Sequence, residues 1–166
     1  MKNSPPDSPP LTALIVLWEF KQRYELLDED AALFDAIRLC DDYDLDAPTF
    51  VRSGIASRWR QYTEGHVRKF ADLFKVPDVG RKEATKVRQV DYLGISISVH
   101  AAARAMMSSR SKTPASYDAV GEELGVSGSL VRNWVYEKPE PFADRDKIPD
   151  PPLDREQLLK EIYEKK

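Results

Sequence analysis

The chain has 166 residues and a formal net charge of −3, with 42% hydrophobic and 32% charged residues, a composition typical of a soluble globular protein. Its one cysteine, Cys40, excludes an internal disulfide, and the apolar run Leu11–Trp18 is too short to cross a bilayer. We therefore expect a cytoplasmic protein with no membrane partner, in which Cys40 is a buried, inert thiol.

The N-terminal half predicts three helices behind a proline-rich start. Residues 1–10 contain four prolines and no apolar partner to bury, so we predict that they are disordered. An amphipathic helix should run from Leu11 to about Leu27 because apolar residues recur there at helical spacing. The acids at 28–30 suit the N-terminus of a second helix, which should end by residues 44–46. Pro48 suits the first turn of a third helix, which should reach about Gly65.

The second and third helices each have a predicted apolar side. The two sets are Leu33, Phe34, Ile37 and Cys40, and then Phe50, Val51, Ile55, Trp59 and Tyr62. Three arginines lie beside the second set: Arg52, Arg58 and Arg60. They suit either a second nucleic-acid contact or a solvated helix face whose arginine stems partly cover Trp59. We expect Phe70, Leu73 and Phe74 to return the chain to the core.

Residues 82–108 allow two interpretations. Most of their apolar residues recur at helical spacing, whereas apolar residues and serines alternate over Ile95–Val99 as they would in a strand. Since Gly94 is the only turn-forming residue of the segment, we predict one helix over its whole length. The polar loop that follows carries Arg110 and Lys112, which are candidate phosphate contacts.

Two short amphipathic helices around a glycine turn are predicted over residues 117–138, the layout of a helix-turn-helix. Gly125 suits the left-handed residue that ends the first helix, and Ser127 is a good N-cap for the second. Gly121 is small enough for the two helices to pack closely. The predicted inward residues are Val120 and Leu124 on the first helix and Leu130, Val131 and Trp134 on the second.

The second helix of this pair has a polar, cationic outward set. It comprises Ser127, Gly128, Ser129, Arg132 and Asn133, with Lys138 just past the end. A helix fits the DNA major groove, where arginine can pair with guanine and asparagine with adenine. Serine and glycine let the backbone approach a phosphate. No acidic residue interrupts the set before Glu137, which favours double-stranded DNA as the partner.

The motif resembles the helix-turn-helix signature of bacterial DNA-binding proteins, including many from phages and mobile elements. The matching residues are Val120, Gly121, Leu124, Gly125, Val126, Ser127, Val131 and Trp134. Members usually carry alanine at the position of Gly121, a mild departure because glycine fits but weakens a helix. The resemblance implies that Ser127, Ser129, Arg132 and Asn133 contact bases and phosphates. A plain helical hairpin is the alternative, and some members of the fold bind protein instead.

Charge is distributed unevenly along the chain. Residues 1–79 hold 10 Lys/Arg and 14 Asp/Glu, residues 80–138 hold 9 and 6, and residues 139–166 hold 6 and 8. The middle segment is therefore positive while its two neighbours are negative. That positive segment contains the predicted DNA-reading helix, as phosphate binding requires.

The C-terminal segment combines a linker with a tail helix. Residues 139–152 hold five prolines and six charged residues, so we predict an extended surface linker and no β-hairpin wing. The tail from Asp154 to Lys166 should be helical, with a narrow stripe formed by Leu158, Leu159 and Ile162. Such a stripe packs either on its own chain or on the same tail of a partner subunit. We favour the partner, since paired subunits suit palindromic DNA sites.

The sequence predicts no enzyme, no metal and no cofactor. His66 and His100 lie far apart and lack cysteine or acidic neighbours at ligand spacing. The aspartates at 41, 42, 44 and 46 are spaced as in a calcium loop but lack its central glycine and distal glutamate. No carboxylate is expected in an apolar setting of the kind that makes an acid catalytic.

We therefore predict an all-α protein with an acidic N-terminal helical bundle (residues 11–79), a helix-turn-helix unit (80–138) and a linker with a tail helix (139–166). Its predicted function is sequence-specific binding of double-stranded DNA, as a transcriptional regulator or a phage or mobile-element accessory factor. Arg132 and Asn133 would read bases, Ser127 and Ser129 would position phosphates, and Lys138 would add sequence-independent attraction. We expect a homodimer or higher homo-oligomer, with the bundle serving assembly or a protein partner. The alternative functions are an interaction adaptor and a small subunit of a DNA-packaging machine.

Overall fold

The computed structural model describes residues 9–74, 96–136 and 147–164. These residues form seven α-helices and no strand, which confirms the all-α class. The helices are α1 (Leu11–Leu27), α2 (Ala31–Asp42), α3 (Thr49–Thr63), α4 (Ile97–Met107), α5 (Pro114–Leu124), α6 (Gly128–Tyr136) and α7 (Arg155–Tyr163), with a 3₁₀ turn at Phe70–Asp72. None of the seven combines the length and hydropathy that a membrane-spanning segment needs. The predicted unit boundaries at 79/80 and 138/139, and most of the predicted disordered start, lie outside the described residues.

α1 is the central helix of the fold. α2, α4, α5 and α7 all pack against it, and every residue of Leu11–Lys21 is buried. Its predicted bounds are confirmed, but the predicted amphipathic character is wrong for its first three turns. The reason lies in the run LTALIVLWEF, whose apolar residues occupy every side of the helix. One continuous cluster of buried side chains therefore includes residues from α1 to α7.

The buried side of α2 is not the side that its large apolar residues predict. Leu33 and Cys40 are buried, whereas Phe34 is 42% exposed and Ile37 is 38% exposed. The predicted burial of those two residues is therefore wrong. Two small residues, Ala32 and Ala36, complete the buried side instead. Because alanine is a weak hydrophobic signal, the bulky residues beside it dominate the pattern in the sequence.

Cys40 lies in this core as predicted. Its thiol donates to the backbone oxygen of Asp46 at 3.7 Å. Burial, followed by the nearby charge of Asp46, raises the pKa of Cys40 to about 11. The thiol is therefore protonated at neutral pH, as expected of an inert cysteine.

α3 is anchored at its N-terminal half and exposed at its C-terminal half. Phe50 and Val51 are buried, as predicted, but Trp59 is 52% exposed and was wrongly assigned to the buried stripe. Among the three arginines of the helix, Arg58 has a structural role. Its guanidinium lies 2.7 Å from the fully buried Asp30, and that hydrogen bond raises the pKa of Arg58. The contact ties α3 to the start of α2.

The segment after α3 only partly returns to the core. Leu73 is buried and Phe74 is half-buried, as predicted. Phe70 is 62% exposed, so its predicted burial is wrong. All three residues of the 3₁₀ turn Phe70–Asp72 are exposed, so the chain returns to the core only after it.

α4 begins at Ile97, which contradicts a single helix over residues 82–108. Ser96 has extended backbone (ψ 117°), and its hydroxyl accepts from the Val99 N–H at 3.2 Å as an N-cap. A buried acid on α1, Glu19, binds this helix end: one carboxylate oxygen accepts from the Ser96 hydroxyl at 2.5 Å and the Ser98 N–H at 3.0 Å. Glu19 is therefore a buried carboxylate that was not predicted, and its contacts are those of a structural acceptor. Residues 82–95 lie outside the described part of the chain.

α7 packs on its own chain. Leu158 and Ile162 are fully buried, and α7 contacts α1 and α3. The Trp18 indole N–H donates to Glu161 at 2.7 Å, which joins α7 to the central helix. The predicted pairing of the tail with a partner's tail is therefore wrong, because two of the three stripe residues, Leu158 and Ile162, are already buried in their own chain. The predicted surface linker is described only from residue 147, where Ile148 is buried against the core.

Candidate nucleic-acid interface

α5 and α6 meet at a turn built from the predicted residues. Thr113 caps α5 by accepting the Ser116 N–H, and Gly125 ends the helix in the left-handed conformation with φ 78° and ψ 31°. The Ser127 hydroxyl accepts the Leu130 N–H at 3.4 Å, at the start of α6. The predicted roles of Gly125 and Ser127 in the turn are therefore confirmed.

Two glycines allow the helices to approach closely. A Cβ atom on Gly121 would lie 2.6 Å from the Val126 carbonyl oxygen and 2.9 Å from the Gly128 nitrogen, so a methyl group has no room there. Glycine at position 121 is thus a packing requirement of this chain. Gly128 is itself buried, since its Cβ would lie 2.8 Å from the backbone nitrogen of Asp118. Its assignment to the outward set is wrong, because α5 covers it.

The inner side of α6 rests on α4 as well as on α5. Val131 and Trp134 are buried as predicted, whereas Leu130 is 41% exposed and was wrongly placed inward. The imidazole of buried His100 on α4 stacks on the Trp134 indole, with ring centroids 5.8 Å apart and an interplanar angle of 30°. Sequence reasoning missed this contact, since the two residues lie far apart along the chain.

The outer side of α6 carries four of the six predicted site residues. Ser127, Ser129, Arg132 and Asn133 are all exposed, and the two serine hydroxyls lie 3.0 Å apart. Arg132 forms no ion pair with any residue in the described ranges. Lys138, the sixth predicted residue, lies outside those ranges.

A groove of about 400 Å³ runs beside these residues, between α6 and the start of α5. Its lining includes Lys112, Tyr117, Asp118, Ser129, Arg132 and Tyr136. Tyr136, which the predicted outward set does not include, is 60% exposed, and the Lys112 ammonium lies 5.1 Å from the centre of its ring. The neighbouring Tyr117 hydroxyl lowers the pKa of Tyr136, and the Lys112 and Arg132 charges lower it further. The spacing of Ser129, Arg132 and Tyr136 on one helix side was the signal that could have revealed this residue.

The charges around this surface are mixed. Lys112 and Arg132 line the groove, but the exposed carboxylate of Asp118 lies beside the start of α6. Arg110, a candidate phosphate contact, is paired with Glu123 at 2.7 Å. The positive potential is thus concentrated on the Lys112–Arg132 side of the surface.

No family model matches the chain, and comparisons with curated proteins and with solved structures find no match either. Within the described ranges, no group of three or more His, Cys, Asp or Glu residues is arranged to hold a metal ion.

Proposed function

We propose that this chain binds double-stranded DNA sequence-specifically, with α5 and α6 forming a helix-turn-helix and α6 entering the major groove. The observation that carries the proposal is the position of Arg132 and Asn133, exposed side by side on α6 with buried Trp134 behind them. The role of a transcriptional regulator or of a phage or mobile-element accessory factor belongs to the same proposal.

The recognition chemistry follows from the side chains that α6 presents. An α-helix with its side chains is about 10–12 Å wide and the major groove is about 12 Å wide, so α6 can lie within it. Arg132 would donate two hydrogen bonds to guanine, and Asn133 would donate to and accept from adenine. Ser127 and Ser129, at the start of the helix, would contact phosphate together with backbone N–H groups. Lys138 would add attraction that does not depend on sequence.

The packing behind α6 supports such a role because base recognition needs a rigid helix. Val131 and Trp134 are buried, and the His100 ring stacks on the indole from α4. Close contact at Gly121 and Gly128 joins α6 to α5 over its first turn. The side chains of Arg132 and Asn133 are thereby presented from a helix that has contacts on two sides.

Electrostatics both support and restrict the proposal. Lys112 and Arg132 provide positive charge along the protein groove between α5 and α6, which would attract DNA phosphates. The carboxylate of Asp118 lies beside the start of α6 and weakens the attraction for the phosphate that Ser127 and Ser129 would contact, so most of the charge attraction would come from the Lys112 side. This asymmetry orients the proposed complex.

The test begins with selection of bound duplexes from a random pool, followed by Arg132→Ala. We expect this substitution to weaken binding to the selected duplex by about 1–3 kcal/mol and to relax the preference at one base pair. Lys160→Ala, which removes one positive charge from the exposed side of α7, is the matched control and should change the affinity much less. Equal affinities of wild type and Arg132→Ala for the selected duplex would refute the assignment of Arg132.

The salt dependence of binding tests the proposal more broadly. A DNA-binding protein should show non-specific affinity for random duplex that falls steeply as ionic strength rises. A chain that binds no duplex even at low salt would rule out DNA binding as the function.

A further inference from the structure

An aromatic band crosses α2, α3 and the 3₁₀ turn on the outside of the molecule. It is formed by Trp59, Tyr62, Phe70, Phe74, Phe34 and Ile37. Ring centroids lie 5.5 Å apart for Trp59–Tyr62, 6.0 Å for Tyr62–Phe70 and 4.8 Å for Phe74–Phe34. One group of rings is Trp59, Tyr62 and Phe70, and the other is Phe34 and Phe74. The chain from the 3₁₀ turn at Phe70–Asp72 to Phe74 connects the two groups.

The aromatic band remains largely uncovered. Phe70 is 62% exposed, Trp59 52% and Phe34 42%. The other exposed large apolar side chains of the described residues lie singly or in pairs on α1, on α6 and around α7. Soluble monomers rarely leave a contiguous apolar patch in water, and aromatic residues dominate the centres of protein interfaces. The band therefore has the composition of a binding surface.

The two ends of the aromatic band carry opposite charge. At the Trp59 and Phe70 end, exposed Arg60, Arg68 and Lys69 outnumber Glu64 and Asp72. At the Ile37 end, four exposed aspartates lie between the end of α2 and the start of α3: Asp41, Asp42, Asp44 and Asp46. They outnumber the two exposed arginines of that end, Arg38 and Arg52. The Arg58–Asp30 contact holds the C-terminal half of α3 near the start of α2, so the basic end and the acidic end lie apart.

This charge pattern indicates which kind of partner the aromatic band can bind. A nucleic acid along the band would meet the aspartates, and an acidic protein would be repelled at the same end. A second copy of the chain, turned around by a two-fold axis, brings each basic end against an acidic end while the rings pack between them. An isologous interface requires such self-complementarity.

We infer that the aromatic band is a two-fold interface between two copies of this chain. The proposal does not depend on DNA binding, and it assigns assembly to α2, α3 and the 3₁₀ turn. The proposed interface uses α2, α3 and the 3₁₀ turn, whereas α6 packs on α4 and α5, so the two proposed surfaces use different elements.

Sedimentation equilibrium of the full chain tests the inference. The wild type should be a dimer, and Trp59→Ser or Phe70→Ser should raise the dimer dissociation constant by about 30-fold or more, as expected at an interface hot spot. Leu153→Ser, at a residue that is 39% exposed but lies outside the band, is the control and should leave the constant unchanged. Each substituted side chain is exposed, so circular dichroism should show an unaltered fold.

Charge reversal distinguishes a specific two-fold interface from non-specific clustering of apolar side chains. Asp41→Lys and Lys69→Glu should each weaken the dimer because each places like charges together at both ends. The double variant should regain most of the wild-type affinity, since the complementarity is restored with the signs exchanged. A monomeric wild type at millimolar-range concentrations, or a dimer that neither band substitutions nor charge reversals weaken, would overturn the inference. Neither result bears on DNA binding.

Discussion

Gly54 and Gly121 are both helical glycines, yet they face different neighbours. A Cβ atom on Gly54 would lie 2.9 Å from a terminal methyl carbon of Leu33, which is a side-chain atom. A Cβ atom on Gly121 would lie 2.6 Å from a backbone carbonyl oxygen of the turn before α6. A side-chain methyl can rotate away, whereas backbone in a tight turn cannot. The cost of adding a methyl group should therefore differ between the two positions.

We expect Gly121→Ala to destabilise the protein by about 1–2 kcal/mol. Alanine gains about 1 kcal/mol of helix propensity, but a 2.6 Å contact with fixed backbone should cost about 2–3 kcal/mol, the upper part of the usual range for overpacking. Gly54→Ala has the same propensity gain and meets a movable group, so its loss should be smaller. Urea denaturation of both variants measures the difference. If Gly121→Ala proves as stable as the wild type, the close approach of α5 and α6 is not required.

At the scale of the element, α7 shows how neighbouring leucines acquire opposite roles. Leu158 is fully buried against the chain's own core, whereas Leu159 is 37% exposed. The indole N–H of Trp18 binds Glu161, and Thr49 on α3 donates to the Tyr163 carbonyl at 2.9 Å. These contacts make α7 part of the core of its own chain.

We expect Leu158→Ala to lower the free energy of unfolding by about 2–5 kcal/mol, the usual cost of a cavity at a fully buried leucine. Leu159→Ala, the same substitution one residue later, should cost about 1 kcal/mol or less because that side chain is partly in water. Chemical denaturation followed by circular dichroism measures both. Similar losses for the two variants would contradict the observed packing of α7.

On the scale of the whole molecule, Glu19 joins the segments before and after residue 80. Its carboxylate lies in the core on α1 and accepts from Ser96 and Ser98 at the start of α4. Arg23 lies 3.7 Å from its other oxygen. A negative charge at a helix N-terminus is favourable, and here it connects the central helix to the helix that supports α6.

We expect Glu19→Ala to destabilise the protein by about 2–4 kcal/mol, because two buried donors lose a charged acceptor. Glu122→Ala, at an exposed position on α5, should change the stability by about 0.5 kcal/mol or less. Since one core includes α1 and α4–α6, circular dichroism and tryptophan fluorescence should report one coincident transition. Two separated transitions would contradict a shared core.

The positions of α1, α5 and α6 and the turn between α5 and α6 were predictable because they depend on near neighbours, whereas the start of α4 was not. The bounds of α1, the left-handed conformation of Gly125 and the capping hydroxyl of Ser127 all follow from short-range backbone chemistry. The exposed placement of Arg132 and Asn133 was also predictable, because Val131 and Trp134 mark the opposite side of the helix.

The sides of other helices were not predictable in the same way. Phe34, Ile37 and Trp59 have the hydrophobicity of core residues, but α2 and α3 turn other sides inward. Gly128 was predicted to be exposed but is covered by α5, whereas Tyr136 was not predicted as a site residue but is exposed beside the groove. Which side of a helix is buried depends on elements far away in the sequence.

From its amino-acid order alone, this chain determines an all-helical fold, the glycine and serine chemistry of the α5–α6 turn and the polar outer side of α6. The tertiary structure decides that α1 is central, that α7 belongs to its own chain, that Glu19 caps α4 and that the aromatic band stays exposed. The physical reason is range: capping and periodicity act within a few residues, whereas burial is settled by competition among all apolar surfaces for one core.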